Sequence, residues 1–241
     1  MTQAQVHIIP VLQDNYCYIV EGDDKRCIVI DPGQVKPVAA HIDHHGLTPV
    51  LILNTHHHAD HVAGNAELKA IYKIPVLGPA SEERMIPHLT GTINPGDIVS
   101  EAGLNFHVIE TPGHTMGHVV FYDAENRLLF AGDTLFSMGC GRLLEGSPED
   151  MFQSLSVLKT LPPETLLYCG HEYTEGNGAF AASLGPESAA LKSRRDEVRK
   201  LRLNNRPTLP VTLATELETN PFLQAGDIAT FADLRRRKDH F

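Results

Sequence analysis

Residues 55–61, Thr-His-His-His-Ala-Asp-His, place four imidazoles and one carboxylate in seven positions. The apolar run Val50-Leu51-Ile52-Leu53 precedes them and Val62-Ala63-Gly64 follows. A short apolar run ending in a polar cluster reads as a buried strand that delivers side chains to its C-terminal edge. In open sheets built from crossovers, that edge is where ligands bind. Histidine and aspartate suit zinc, iron or manganese, so metal chemistry is the first expectation. In an extended segment His56 and His58 point the same way and His57 points opposite. Asp60 and His61 follow the turn and can face the same point from another side.

One cluster cannot fill two coordination spheres, and the rest of the chain offers more ligands. His114, Asp133 and His171 each fall one to four residues after a predicted strand. The set suits two metals: His56, His58 and His114 on the first, Asp60, His61 and His171 on the second, with Asp133 bridging. Such a pair lies about 3.5–4 Å apart and can share a hydroxide. Among the 14 histidines, His7, His41, His44, His45, His88, His107 and His240 read as surface or satisfied core residues. His57 reads as a supporting group and His118 as part of the strand that follows the Pro-Gly-His turn.

The elements that must position these groups alternate between strands and helices. Residues 5–12, 16–21 and 26–31 read as strands separated by Asp14-Asn15 and by Gly22-Asp23-Asp24. A helix is expected from Val35 to His45, with Val38, Ile42 and His45 at helical spacing and Gly46 as its cap. The 50–54 strand, a helix over 64–72 and a strand over 75–78 follow, then a stretch over 79–103 read as loop with some helix. Strands are expected over 104–110, 118–122 and 127–130. Ser147-Pro148-Glu149-Asp150 opens a helix running to about 161, and 165–169 is the last strand. After Tyr173 strand-like runs cease, and helices are expected over 187–203 and 227–237. The reading is an α/β sandwich over 1–172 and a small helical domain over 173–241.

Composition narrows the function classes. The chain has 241 residues, 42% hydrophobic and 21% charged, as an ordinary globular protein does. No run approaches the 18 apolar residues of a membrane span, and the start lacks the order of a signal peptide. Cys17, Cys27, Cys140 and Cys169 form no C-x-x-C pair, so reduced thiols in a cytoplasmic protein are expected rather than disulfides or a thiolate zinc site. A net charge of −10 argues against nucleic acid or an anionic membrane as partner. The basic residues gather late, at Arg194, Arg195, Arg199, Lys200 and Arg202 and at Arg235-Arg236-Arg237-Lys238, so a small anionic substrate is compatible.

The signature His56-x-His58-x-Asp60-His61 resembles that of the metallo-β-lactamase superfamily. Asp31-Pro32-Gly33, Gly113-His114, Gly132-Asp133 and Gly170-His171 resemble its other motifs in the same order. The resemblance implies an αββα sandwich with the metals at the rim between two sheets, but fixes no reaction. A more specific resemblance is carried by Gly132-Asp133-Thr134-Leu135-Phe136, Gly139-Cys140-Gly141-Arg142, Cys169-Gly170-His171-Glu172-Tyr173-Thr174, Asn220-Pro221-Phe222 and Leu234-Arg235-Arg236-Arg237-Lys238-Asp239. These look like the glyoxalase II, or hydroxyacylglutathione hydrolase, family over nearly the whole chain.

That resemblance implies two divalent ions, zinc by expectation with iron or manganese as alternatives, and a glutathione thioester as substrate. It implies glutathione-binding roles for Arg142 and Tyr173, and for Arg235 and Lys238 a hold on the glycine carboxylate. Asp60 and Asp133 would orient the hydroxide. Leu144 stands where the family often has an aromatic residue, and Met138 where a small one is frequent. The expected reaction is hydrolysis of S-D-lactoylglutathione by a monomer, a dimer being the alternative. A mono-iron glutathione persulfide dioxygenase and another ester or lactone hydrolase are the rival activities. A metal-binding or partner-binding module is the rival without catalysis.

Overall fold

In the computed structural model, which describes residues 4–241, the chain begins with three antiparallel strands: β1 (Gln5–Val11), β2 (Asn15–Glu21) and β3 (Arg26–Ile30). β2 and β3 are almost wholly buried, as their Val, Ile and aromatic content requires. Helix α1 (Val35–His45) then carries the chain back, burying Val38 and Ile42 and ending at Gly46 in the left-handed conformation. β4 (Thr48–Leu53) joins β3 in parallel. The short α2 (Ala59–Val62) and α3 (Asn65–Tyr72) lead to β5 (Val76–Pro79) and β6 (Gly91–Ile93), both parallel additions. The order β1-β2-β3-β4-β5-β6 encloses a core with Ile19, Val29, Val38, Ile42, Ile52 and Val76. Each such side chain contributes about 1.5–3 kcal/mol by leaving water.

β7 (Ile98–Glu101), β8 (Leu104–Glu110) and β9 (Val119–Asp123) form an antiparallel meander. In β8, Leu104, Phe106 and Val108 are buried and His107 is exposed, the alternation of a strand with one wet face. The Asp123 carboxylate closes the following turn by accepting from the Glu125 and Asn126 backbone amides, each at 3.0 Å. The stretch 79–103 departs from expectation. It holds a 3-10 turn at Ala80–Glu82 and the strands β6 and β7, because runs of three and four residues are too short to display a periodicity. Residues up to Glu110, with Gly117–Asn126, make one compact unit.

The second unit comprises Thr111–Met116 and Arg127–Phe241. β10 (Leu128–Gly132) is followed by the hairpin of β11 (Leu135–Phe136) and β12 (Gly139–Cys140). α4 (Pro148–Leu158) starts with a full capping box between Ser147 and Asp150. β13 (Leu166–Cys169) pairs parallel with β10. Helices α5 (Thr174–Ser183) and α6 (Ala189–Leu203) precede β14 (Val211–Thr212), which pairs antiparallel with β13. α7 (Leu213–Thr219), α8 (Pro221–Gln224) and α9 (Ile228–Asp239) complete the chain. The β11–β12 hairpin, α7 and α8 were not expected, nor was a strand after Tyr173, nor α5, which forms despite Gly176 and Gly178. Buried Phe180 and Ala181 hold α5, and packing outweighs the weak helix propensity of glycine. Among the described residues, no helix is long and apolar enough to cross a membrane.

Candidate metal centre

β4 ends in Asn54 and Thr55, and the chain then extends through His56 and His58 before α2 presents Asp60 and His61. Asp31, just past β3, organises this junction. Its Oδ1 accepts from the Thr55 backbone N–H at 2.8 Å, and its Oδ2 accepts from the Thr55 hydroxyl at 2.6 Å and from His61 Nδ1 at 3.1 Å. Because the Thr55 hydroxyl spends its proton on Asp31, it accepts from His56 Nδ1 at 3.0 Å. Both imidazoles are thereby held as tautomers whose Nε2 carries the lone pair, the arrangement that orients metal-ligating histidines. His58 Nδ1 lies 3.0 Å from His56 Nε2. Asp60 Oδ2 is 3.6 Å from His61 Nε2 and accepts from Asn15 Nδ2 at 2.7 Å. A Cβ at Gly33 would collide with the Asp60 carbonyl, so only glycine lets these segments approach.

His57 turns to Glu82, its Nδ1 3.1 Å from a buried Oε2, in keeping with a supporting role. His118, buried just ahead of β9, stacks on His56 with centroids 4.8 Å apart. Asp31, Thr55 and Asn15 were not singled out as site residues. Asp31 entered only as part of the Asp31-Pro32-Gly33 motif, with no role given to its side chain, although a carboxylate directly after a strand follows the same pattern as the expected ligands.

In the second unit, His114, Asp133 and His171 come from three separate segments. The His114 loop is clamped by α4, where the Ser154 hydroxyl donates to the Pro112 carbonyl at 2.7 Å, and by Gly146 N–H on the Gly113 carbonyl at 3.0 Å. His114 Nδ1 donates to the Arg142 carbonyl at 2.9 Å, again leaving Nε2 with the lone pair. Gly170 N–H donates to the Gly132 carbonyl at 2.8 Å, which sets the ends of β10 and β13 side by side. Asp133 Oδ2 is then 3.3 Å from His114 Nε2 and 3.3 Å from His171 Nε2. Adjacent ligand atoms on a tetrahedral ion with bonds of 2.0–2.1 Å lie roughly 3.3–3.4 Å apart. The spacing, the tautomers of His56, His61 and His114, and the donor types of both sets thus fit a divalent metal.

A pocket of about 640 Å³ opens in the second unit, lined by His114, Asp133 and all four expected substrate-binding residues, Arg142, Tyr173, Arg235 and Lys238. Tyr173 lies flat on His171, with centroids 4.7 Å apart. Arg235 is engaged within the chain: Nη1 donates to the Cys140 carbonyl at 2.8 Å and Nη2 to Asp239 at 2.8 Å. It therefore secures the wall of the pocket as well as facing it. Neither Arg142 nor Lys238 forms an ion pair among the described residues. Burial and the nearby Arg235 and Arg142 guanidiniums pull the Lys238 ammonium below the usual lysine range. Positive charge held outside an ion pair suits an anion.

The remaining residues near the motifs are structural. Burial pushes the Cys140 thiol up to about 11 and raises Cys169 further, which leaves both poor nucleophiles at neutral pH. Met138 is fully buried with Ala181, Leu191 and Val198, behind the loop. Leu144 is 59% exposed and is not among the residues lining the pocket.

Comparison with known proteins identifies the family. The family model described as "Metallo-beta-lactamase superfamily" matches residues 12–171, and that described as "Hydroxyacylglutathione hydrolase C-terminus" matches 172–241. The hydroxyacylglutathione hydrolase of Rhodospirillum rubrum is 44% identical over 256 aligned positions, covering 100% of each chain. That of Chelativorans sp. is 45% identical and covers 88% of this chain and 89% of its own. Among solved structures, ETHE1 from Myxococcus xanthus is similar in fold, with TM-score 0.74 and 24% identity over 98% of this chain and 90% of that one. TTHA1623, solved in a di-iron-bound form, has TM-score 0.65 and 29% identity over 90% and 99%. The chain belongs to the hydroxyacylglutathione hydrolase family of the metallo-β-lactamase superfamily.

Proposed function

We propose that the protein hydrolyses S-(2-hydroxyacyl)glutathione thioesters, S-D-lactoylglutathione foremost, to glutathione and the 2-hydroxy acid. D-lactate would be the acid released, as in the second step of methylglyoxal detoxification. His56, His58 and His114 would hold one divalent ion, Asp60, His61 and His171 a second, and Asp133 would serve both. Zinc is our assignment, with iron and manganese the alternatives that the same donors accept. When bound, such a pair supplies a water acidified to a pKa of about 7 and a Lewis acid for the carbonyl oxygen.

The chain's own groups do the rest. Asp60, its Oδ2 fixed by Asn15, and Asp133 accept from the attacking water and set its direction. Arg142 and Lys238 take the anionic ends of glutathione, a guanidinium and an ammonium being suited to carboxylates. Tyr173 offers a phenol and a ring face, and Arg235 holds the Cys140 segment in place. The leaving group is a thiolate, whose conjugate acid has a pKa of about 8.5, so it departs without a strong acid. No cysteine nucleophile is needed.

The observation that carries this reading is the second-unit pocket, which is lined by His114 and Asp133 and also by Arg142, Tyr173 and Lys238. Four free, buried cysteines suit a reducing cytoplasmic setting, and we take the working unit to be the monomer. The test is product analysis with S-D-lactoylglutathione. One free thiol and one D-lactate should appear for each thioester consumed. Consumption of oxygen without thiol release would overturn the assignment.

A further inference from the structure

Outside the seven expected ligands, four histidines meet in the first unit. His7 lies on β1, and His41, His44 and His45 lie on α1. Ring centroids are 4.0 Å apart for His41 and His45, 4.8 Å for His7 and His41, and 5.5 Å for His7 and His45. The spacing of four on α1 stacks His41 over His45 on one strip of the helix. Paired histidines at this spacing are a metal-chelating arrangement.

The hydrogen bonds fix which nitrogens are available. A carboxylate only accepts, so His7 Nε2 donates to Glu21 Oε2 at 3.1 Å and its Nδ1 keeps the lone pair. A carbonyl only accepts, so His45 Nδ1 donates to the His41 carbonyl at 3.0 Å and its Nε2 keeps the lone pair. His41 Nε2 is buried and has no hydrogen-bond partner. A carboxylate or carbonyl behind an imidazole is the support found behind metal-ligating histidines. Burial, then the neighbouring His45, His7 and His44, pull His41 down to about 4, so it is neutral and a competent donor at physiological pH. Lys25 shares Glu21 through the other oxygen at 2.8 Å. His44 is exposed and edge-on to His45, at 4.8 Å.

We propose that His41, His45 and His7, the last backed by Glu21, form a separate site for one divalent transition-metal ion of the nickel, copper or zinc kind. The ion would staple β1 to α1. Binding requires the stacked rings to rotate so that their lone pairs converge. The exposed His45 is the ring that would turn, pivoting on its Nδ1 bond to the His41 carbonyl.

The test uses untagged protein whose catalytic centre is filled with Zn²⁺ and freed of excess by gel filtration. Ni²⁺ is titrated in by calorimetry, with zinc content measured before and after so that exchange is seen. One Ni²⁺ should bind per chain without zinc loss and should raise the unfolding temperature. His45→Gln, which is exposed and does not endanger folding, should lower affinity at least about tenfold, and Glu21→Gln about tenfold. His44→Gln should retain binding. Nickel uptake only by exchange with zinc, or equal affinity in His45→Gln, would overturn the proposal.

Discussion

His56, His58, Asp60 and His61 come from six consecutive residues at one strand–helix junction, whereas His114, Asp133 and His171 come from three distant segments of the second unit. Side chains hold the first set, with Asp31, Thr55 and Asn15 fixing two imidazoles and a carboxylate. Backbone holds the second: the Arg142 carbonyl orients His114, and the Gly170–Gly132 bond sets His171 beside Asp133. A cluster local in sequence needs polar neighbours to hold its rings apart and in the right tautomer. A distributed set is positioned by where its strands end. The two should therefore fail differently when mutated.

Asp133→Ala is the most severe break, because one carboxylate stands against both second-unit imidazoles. We expect kcat/KM to fall about 10³-fold or more, with metal content dropping from two ions per chain toward one. Unchanged turnover and metal content would remove Asp133 from the shared position. Asp31→Asn tests the first set: it keeps the shape but weakens the hold on Thr55 and His61. Metal affinity or activity should fall about 10–100-fold, read by chelator competition. Its counterpart is Gly141→Ala, since a Cβ there would collide with the Asp133 carbonyl. That substitution should cost about 1–3 kcal/mol in urea unfolding, where Asp31→Asn should act mainly on metal.

Lys238→Ala and Arg142→Ala should each raise KM about tenfold with little change in kcat, since in the proposed function their charge would bind glutathione in ground and transition states alike. A fall in kcat alone would place these side chains at the reacting atoms instead. The smallest effect belongs to α4, whose Asp150 carboxyl is held below its ordinary value of 3.8 by the Ser147 hydroxyl and N–H. A depressed native pKa stabilises above the unfolded value and is lost as pH falls through the native one. Asp150→Asn should thus cost about 1 kcal/mol at pH 7, and its difference from the parent should shrink below pH 4.

The same contrast explains what could be read from the residues. The first set was legible because six residues carried ligand types at strand and turn spacing. α1 was legible with its bounds, since Val38, Ile42 and Gly46 mark a buried face and a C-cap. The second-set ligands were found only because each follows an apolar run. The hold of Asp31 on His61 escaped, since a hydrogen bond between residues 30 apart leaves no periodic trace. β14, a two-residue strand, escaped for the same reason. α8 had its signal in plain view, Asn220 as N-cap before Pro221, yet four residues are too few to show an apolar face. Arg235 was read as a substrate clamp only from the family resemblance, a basic run by itself reading as a solvated helix face; which of its donors are already engaged is a matter of tertiary structure.

In the proposed function, metal-dependent hydrolysis is tied to a glutathione-binding pocket. The most direct measurement follows loss of S-D-lactoylglutathione on metal-replete protein, on the same protein after chelation, and beside a lactoyl thioester lacking the glutathione moiety. Such coupling should give turnover that chelation abolishes, metal restores, and the truncated thioester does not share. Equal rates on both thioesters, or no turnover by fully metallated protein, would contradict it.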